Sequence, residues 1–193
     1  MNKIMPGLFI GNFRDAKDEE QLKTNNISHI VAIHDNPKES IPEITYKCID
    51  LSDSPTANIG AHFEDCTMFI HEARTKGGNV LVHCVAGVSR SCAICAAYII
   101  TLSLVRWSDA ILVVRAVRDV VNPNHGFRTH LSNYDIVDAK NVQKKLIETY
   151  GEINQADVDH INNVLASLKE GTLEANDNLS ATGGTFASCQ RKK

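Results

Sequence analysis

Apolar positions along the chain fall into two rhythms, short unbroken runs and longer stretches spaced at three and four residues. Leu8, Phe9 and Ile10, closed by Gly11-Asn12, read as a short buried strand and its turn. Asp15 to Lys23 then has helical character, with Ala16 and Leu22 facing inward. Ile27 to Ile33 is a second apolar run, flanked by His29 and His34, which read as structural residues. Asp35 to Pro42 is a polar loop, and Ile44 to Leu51 alternates as a third strand. Ser52 to Asn58 has turn chemistry. Ile59, Phe63, Cys66, Thr67, Ile70 and Ala73 recur at helical spacing up to the Gly77-Gly78 stop.

A fourth strand is expected over Val80 to His83, followed by a loop and an apolar helix to about Leu104. Trp107 to Val117 reads as another helix, with Ala110, Ile111, Val114 and Val117 on one side. Asn122-Pro123-Asn124 breaks the pattern. Phe127 to about Tyr150 reads as one long, increasingly polar helix, and Asp157 to Leu168 as a further short one. From Gly171 onward large apolar residues are sparse, which predicts disorder. No internal repeat is visible. Strands alternating with helices predict an α/β layered domain over residues 1–150, with 151–193 as a polar, partly disordered C-terminal tail.

The chemistry concentrates where the fourth strand meets its helix, Val80 to Ser91, Val-Leu-Val-His-Cys-Val-Ala-Gly-Val-Ser-Arg-Ser. A strand that feeds a tight loop and then a helix points backbone N–H groups and a helix N-terminus at one spot, where an anion binds. Arg90 can close that cradle with a planar bidentate fork. Cys84 then lies beneath the bound phosphate, with Val85, Ala86, Gly87, Val88 and Ser89 as the loop. Cys-x5-Arg alone arises by chance roughly 0.25 times in a chain of this composition. His83 before the cysteine, the central Gly87 and Ser91 after the arginine make it specific.

Each group around Cys84 favours its thiolate, the nucleophilic form, whose pKa in a free cysteine is about 8.5. His83 is expected to hold the loop and add to the same field, without acting as general base. A phosphate monoester attacked by a thiolate needs positioning, charge stabilisation and an acid for the leaving oxygen. The upstream candidates are Asp35, Asp50, Asp53, Glu64 and Asp65. Asp53, in the Ser-Asp-Ser-Pro loop just after a strand, is the first choice and Asp50 the second. Ser91 can hydrogen-bond the Cys84 sulfur as it leaves, or serve as a plain helix cap.

Composition narrows the class without naming the activity. The chain has 193 residues, 43% of them hydrophobic, and a net charge of −3. That balance offers no basic field for nucleic acid. The longest apolar run, Cys92 to Leu104, is too short to span a bilayer. The first residues lack the apolar core of a signal peptide, and position 2 is Asn rather than the Gly that N-myristoylation requires. Six cysteines in such a chain are expected to be reduced thiols of a cytosolic protein, possible also in the nucleus. Cys92-x-x-Cys95 falls inside the apolar helix and reads as core; no metal or cofactor site is expected. Cys189 is followed by Gln-Arg-Lys-Lys, which is not a prenylation box.

His83-Cys84-x-x-Gly87-x-x-Arg90-Ser91, with an aspartate loop upstream, resembles the Cys-based protein tyrosine phosphatase superfamily. Ala86 to Ser91 and the segment Asn122-Pro123-Asn124-His125-Gly126-Phe127 are similar to the dual-specificity phosphatases. Met5 to Phe13 and Leu51 to Pro55 resemble the small atypical dual-specificity phosphatases of the JNK-stimulatory type. The resemblance spans residues 1 to about 150. It implies a mixed, largely parallel central sheet flanked by helices, with Cys84 as nucleophile, Arg90 as phosphate binder, Asp53 as general acid and Asn124 as a brace of the loop. It further implies a monomer without metal, acting on phosphotyrosine and phosphoserine/threonine in proteins, members of MAP-kinase pathways among them. Two positions depart from the pattern: Asn2 replaces the glycine that carries the lipid, and His130 stands where the family has Gln.

Two other readings share the signature. A phosphoinositide phosphatase tends to carry Lys within the loop, whereas Val85 to Ser89 are uncharged. A non-catalytic phosphoprotein-binding pseudophosphatase usually lacks the Cys, the Arg or the acid, and all three are present here.

Overall fold

The computed structural model describes residues 1–171. Five strands, β1 (Asn2–Met5), β2 (Leu8–Gly11), β3 (Ile27–His34), β4 (Thr45–Asp50) and β5 (Asn79–His83), form one sheet in the order β1-β2-β5-β3-β4. β1 pairs antiparallel with β2; the other pairings are parallel. Register places Gly11 beside His83, Ala32 beside His83, and His34 beside Asp50. The ends of β2, β3, β4 and β5 therefore meet along one edge, where ligands bind in parallel sheets.

Among the described residues, seven α-helices flank the sheet: α1 (Glu19–Thr24), α2 (Phe63–Thr75), α3 (Arg90–Ser103), α4 (Trp107–Val117), α5 (His125–Val137), α6 (Ala139–Tyr150) and α7 (Gln155–Lys169). The larger core lies between one sheet face and α2 to α7. The smaller one, around Phe9, Leu22, Ile30 and Leu81, lies under α1 on the other face. α3 is the axis of the larger core, buried from Arg90 to Leu102. Its small residues, including Ala93, Ala96 and Ala97, leave room for helices on every side, as an all-round apolar helix requires. Among the described residues, no single helix is long and apolar enough to cross a membrane.

The structure corrects four boundaries. β1 lies before the first strand expected from the sequence, joined to it through Pro6-Gly7, with Gly7 at φ +77°; that dipeptide is a turn signal. The expected helix over Asp15 to Lys23 is a 3-10 turn, Asp15–Lys17, followed by α1, because Asp18 caps α1 by accepting from the Gln21 amide. The expected long helix after Phe127 is two helices that meet at Asp138. Its buried positions explain the break. Phe127, Leu131 and Tyr134 would continue at 138, but burial resumes at Ala139, Val142 and Leu146, one residue out of phase.

The fourth correction concerns the domain's end, expected at residue 150. α7 packs on the domain, with Ile161 and Leu165 in the larger core. Asp157 pairs with Arg74 at 2.8 Å, their side chains 7% and 10% exposed. The disorder expected past Gly171 falls outside the described residues.

Candidate active site

β5 ends at His83, and residues 84–89 form a loop that turns straight into α3 at Arg90. Gly87 makes the turn possible, at φ +69°. A Cβ there would lie 2.6 Å from both Arg118 Nη2 and the Gly11 carbonyl oxygen, so conformation and space alike exclude a side chain. Neighbours hold the loop's carbonyls. The Phe13 amide donates to Val85 at 3.1 Å and the Asn122 amide to Val88 at 2.9 Å. Arg118 donates to Ala86 and Gly87 at 3.2 and 2.8 Å, and to Asn2 Oδ1 at 2.8 Å. Carbonyls fastened outward leave amides for the inside of the ring.

Cys84 sits in that ring, 1% exposed. Its Sγ receives the Gly87 amide at 3.2 Å and lies 3.4 Å from Ser91 Oγ. Burial alone would push the thiol's pKa up. Hydrogen bonds from the Ser91 hydroxyl and from the amides of Ser91, Val88 and Gly87 outweigh it, and the net shift is downward. Ser91 is not the helix cap, because α3 begins at Arg90 with Ser89 in the capping position.

Arg90 is buried across the ring's opening. Its Nη1 donates to the Leu51 carbonyl at 2.9 Å and to Asp35 Oδ2 at 3.1 Å, while its Nε is buried without a hydrogen-bond partner. A buried guanidinium nitrogen with an unused proton, beside a ring of amides, fits an oxyanion.

Asp53 is the carboxylate that faces this Nε. Its Oδ1 accepts from Ser89 Oγ at 2.7 Å and from Asn124 Nδ2 at 2.8 Å, and its Oδ2 lies 4.0 Å from Arg90 Nε. Asn124 meanwhile caps α5, accepting from the Phe127 amide at 3.0 Å, and its own amide donates to Ser89 Oγ at 3.2 Å. Gly126 abuts the loop that carries Asp53 so closely that a Cβ would lie 1.9 Å from the Pro55 carbonyl oxygen. Of the other candidate carboxylates, Asp35 holds Arg90 and three are placed elsewhere. Asp50 accepts from the Asn36 amide, while Glu64 and Asp65 on α2 pair with Lys145 and Lys47.

Residues 8–136 match the family described as dual specificity phosphatase, catalytic domain. The chain belongs to the dual specificity phosphatase family. It is 43% identical over 188 residues to dual specificity protein phosphatase 22 of Xenopus tropicalis, covering 97% of this chain and 90% of that protein. To the human protein of the same name it is 44% identical over 167 residues, 86% of this chain and 91% of that one. Among solved structures, the crystal structure of DUSP15 superposes with a TM-score of 0.76 at 43% identity, over 78% of this chain and 96% of that one. A human tyrosine phosphatase-like serine/threonine/tyrosine-interacting protein has a TM-score of 0.69 at 34% identity, over 71% and 96%.

Within this phosphatase fold, His83 differs from its expected part. It holds the loop, its Nδ1 meeting the Cys84 carbonyl at 3.2 Å. Burial lowers its pKa to about 4, further aided by His34, so near neutral pH it is uncharged and adds nothing to the field that favours the thiolate. Cys92 and Cys95 are fully buried core residues, and burial pushes both thiols' pKa up. His130 packs over Gly60. Sequence reasoning missed one residue, Arg118, and the structural parts played by Asp35 and Ser89. Asp35 was weighed only as an acid, yet it holds Arg90 from the end of β3; Ser89 joins the loop to Asp53; Arg118 clamps the loop. Only the position of Asp35 directly after a strand hinted at its place.

Proposed function

We propose that this phosphatase-family chain hydrolyses phosphorylated tyrosine, serine and threonine residues of proteins through a phosphocysteine intermediate. The observation that carries this reading is the buried Nε of Arg90, which has no hydrogen-bond acceptor, together with the hydrogen-bonded Cys84 sulfur. One phosphoryl group there would receive the guanidinium and the loop amides together.

Cys84 attacks phosphorus as the thiolate, and the P–O bond to the substrate breaks. Asp53 donates its proton to the leaving oxygen from Oδ2, since Oδ1 is engaged by Ser89 and Asn124. The Asp53 carboxylate then takes a proton from water as that water attacks the phosphocysteine. The S–P bond breaks, inorganic phosphate leaves, and Ser91 stabilises the departing thiolate by hydrogen bonding. Arg90 holds the equatorial oxygens through both steps, positioned by Asp35 and the Leu51 carbonyl. No metal enters the cycle.

The uncharged loop interior favours a single phosphate over a polyphosphorylated inositol. The juxtaposition of Cys84, Arg90 and Asp53 favours turnover over binding alone. Free thiols at the five described cysteines support a reducing compartment, cytosol or nucleus, and the family match supports phosphorylated proteins as substrates, members of MAP-kinase pathways being the ones proposed. The test is Cys84→Ser, which should abolish release of phosphate from a phosphotyrosine peptide while retaining its binding. Residual turnover by that variant would remove Cys84 as nucleophile. Trapping with the same variant from cell extract identifies the substrate, and imaging of the tagged chain tests the compartment.

A further inference from the structure

A second cavity, of about 210 Å³, shares a wall with the phosphate loop. Two residues make that wall. His83, which lines the cavity, meets the Cys84 carbonyl, and Phe13, which also lines it, donates its amide to the Val85 carbonyl. A third lining residue, His34, precedes Asp35, the partner of Arg90. The wall is aromatic and connected. Phe13 meets His34 edge-on with ring centroids 5.5 Å apart, and His34 meets His83 at 5.5 Å.

The other lining groups are cations and hydroxyls. Lys17 and Lys38 line the cavity from two different segments, the 3-10 turn and the β3–β4 loop. Lys17 Nζ stands 4.3 Å from the Phe13 ring centroid, which settles its ammonium at the cavity. Among the described residues neither lysine forms an ion pair. Of the carboxylates nearby, Asp35 is held by Arg90, Asp50 by the Asn36 amide, and Asp15 by the Asn12 amide and the N-terminal ammonium, while Glu39, between Lys38 and Ser40, does not line the cavity. Ser40 and Tyr46 hydroxyls bond each other at 3.2 Å on the lining, sharing one proton and leaving the other to donate.

We propose that this cavity is a second anion subsite, which takes the carboxylate or phosphoryl group of a side chain flanking the phosphorylated residue of the substrate. The proposal rests on the phosphatase reading for the identity of the first group and names the class of peptide it is presented on. An apolar wall beside two uncommitted ammonium groups suits a side chain that reaches in with a stem and ends in negative charge. The two lysines reside outside the Cys84 cradle, so they discriminate among peptides without taking part in the bond changes.

The experiment compares phosphotyrosine peptides that differ at one position within three residues of the phosphotyrosine, bearing Ala, Glu or a non-hydrolysable phosphonate side chain. Wild-type chain should show higher kcat/KM on the Glu and phosphonate peptides, with the gain in KM and reduced by salt. Lys17→Met/Lys38→Met should lose about 3- to 10-fold on those two peptides, and nothing on the Ala peptide or on p-nitrophenyl phosphate. Lys17→Glu/Lys38→Glu should invert the preference toward a Lys-bearing peptide. Glu against phosphonate decides which anion the subsite prefers. Equal kcat/KM of wild type on all three peptides overturns the proposal, as does an equal loss on all of them in the double variant. Binding of the same peptides to Cys84→Ser keeps the two readings separate. A Kd preference for the anionic flank without turnover in wild type would sink the phosphatase reading and leave the subsite standing.

Discussion

Asn124 Nδ2 donates to Asp53 Oδ1 at 2.8 Å, joining two residues 71 positions apart. The same asparagine caps α5 and gives its amide to Ser89 Oγ, which in turn donates to Asp53. One side chain thus ties Asp53, the 84–89 loop and a helix start together. Asp53 overhangs Arg90 only while that arrangement lasts.

Asp53→Ala should therefore slow an alkyl or unactivated aryl phosphate by about 10²- to 10³-fold. A nitrophenyl ester, whose leaving group needs little protonation, should lose far less. Asn124→Ala should follow the same leaving-group pattern at about a tenth of the severity and also lower Tm through the lost cap. Equal losses on both esters, measured by steady-state kinetics, would reassign Asp53 to structure.

Ser91 and the loop amides hold the Cys84 pKa below its usual value against the opposing effect of burial. The thiolate is the reactive form, so the pH at which iodoacetamide alkylates Cys84 half-maximally should lie below that of a free cysteine measured alongside. In Ser91→Ala one stabilising hydrogen bond of the anion is gone, and that midpoint should move upward. Breakdown of the phosphocysteine should slow with it, so a burst of leaving group appears before a slower steady state. A midpoint unmoved by the substitution would show that the amides alone set the thiolate.

Gly87→Ala meets two obstacles at once: φ +69° and a Cβ 2.6 Å from the Gly11 carbonyl oxygen. Relief requires displacing the loop from β2, which breaks the outward hold on its carbonyls. Activity should fall by at least about 10²-fold, as expected when several preorganised donors lose their aim, and orthovanadate should bind correspondingly weakly. Retention of vanadate affinity would mean the loop adapts without losing its amide ring.

At the opposite end of the parallel strands, Arg74 donates to Asp157 at 2.8 Å and to the Pro6 carbonyl at 2.9 Å. Asp157→Ala leaves a buried guanidinium short of its counter-charge and should cost about 2–4 kcal/mol. For a chain of this size that is a fall in Tm of roughly 5–12 °C by calorimetry. kcat/KM at 25 °C should change less than about 2-fold, because the pair does not touch the loop. An unchanged Tm would show that α7 is an appendage rather than part of the domain.

The sequence by itself determined the parts whose logic is local. Val80 to Ser91 states a strand, a loop and a helix start in twelve consecutive residues. Apolar spacing determined the strands from Leu8 to Leu51 and the helices around Phe63 and Trp107 for the same reason, since period two or period 3.6 is visible within one segment. The tertiary structure decided what depends on residues far apart in the chain. Among Asp35, Asp50, Asp53, Glu64 and Asp65 the Ser-Asp-Ser-Pro loop singled out Asp53, but only parallel pairing of β3, β4 and β5 shows that Asp35 also reaches Arg90 while α2 carries Glu64 and Asp65 away. His83 illustrates the same point in charge. Its identity suggested a cation, but its burial, a property of the packed whole, removes the solvation that a cation needs.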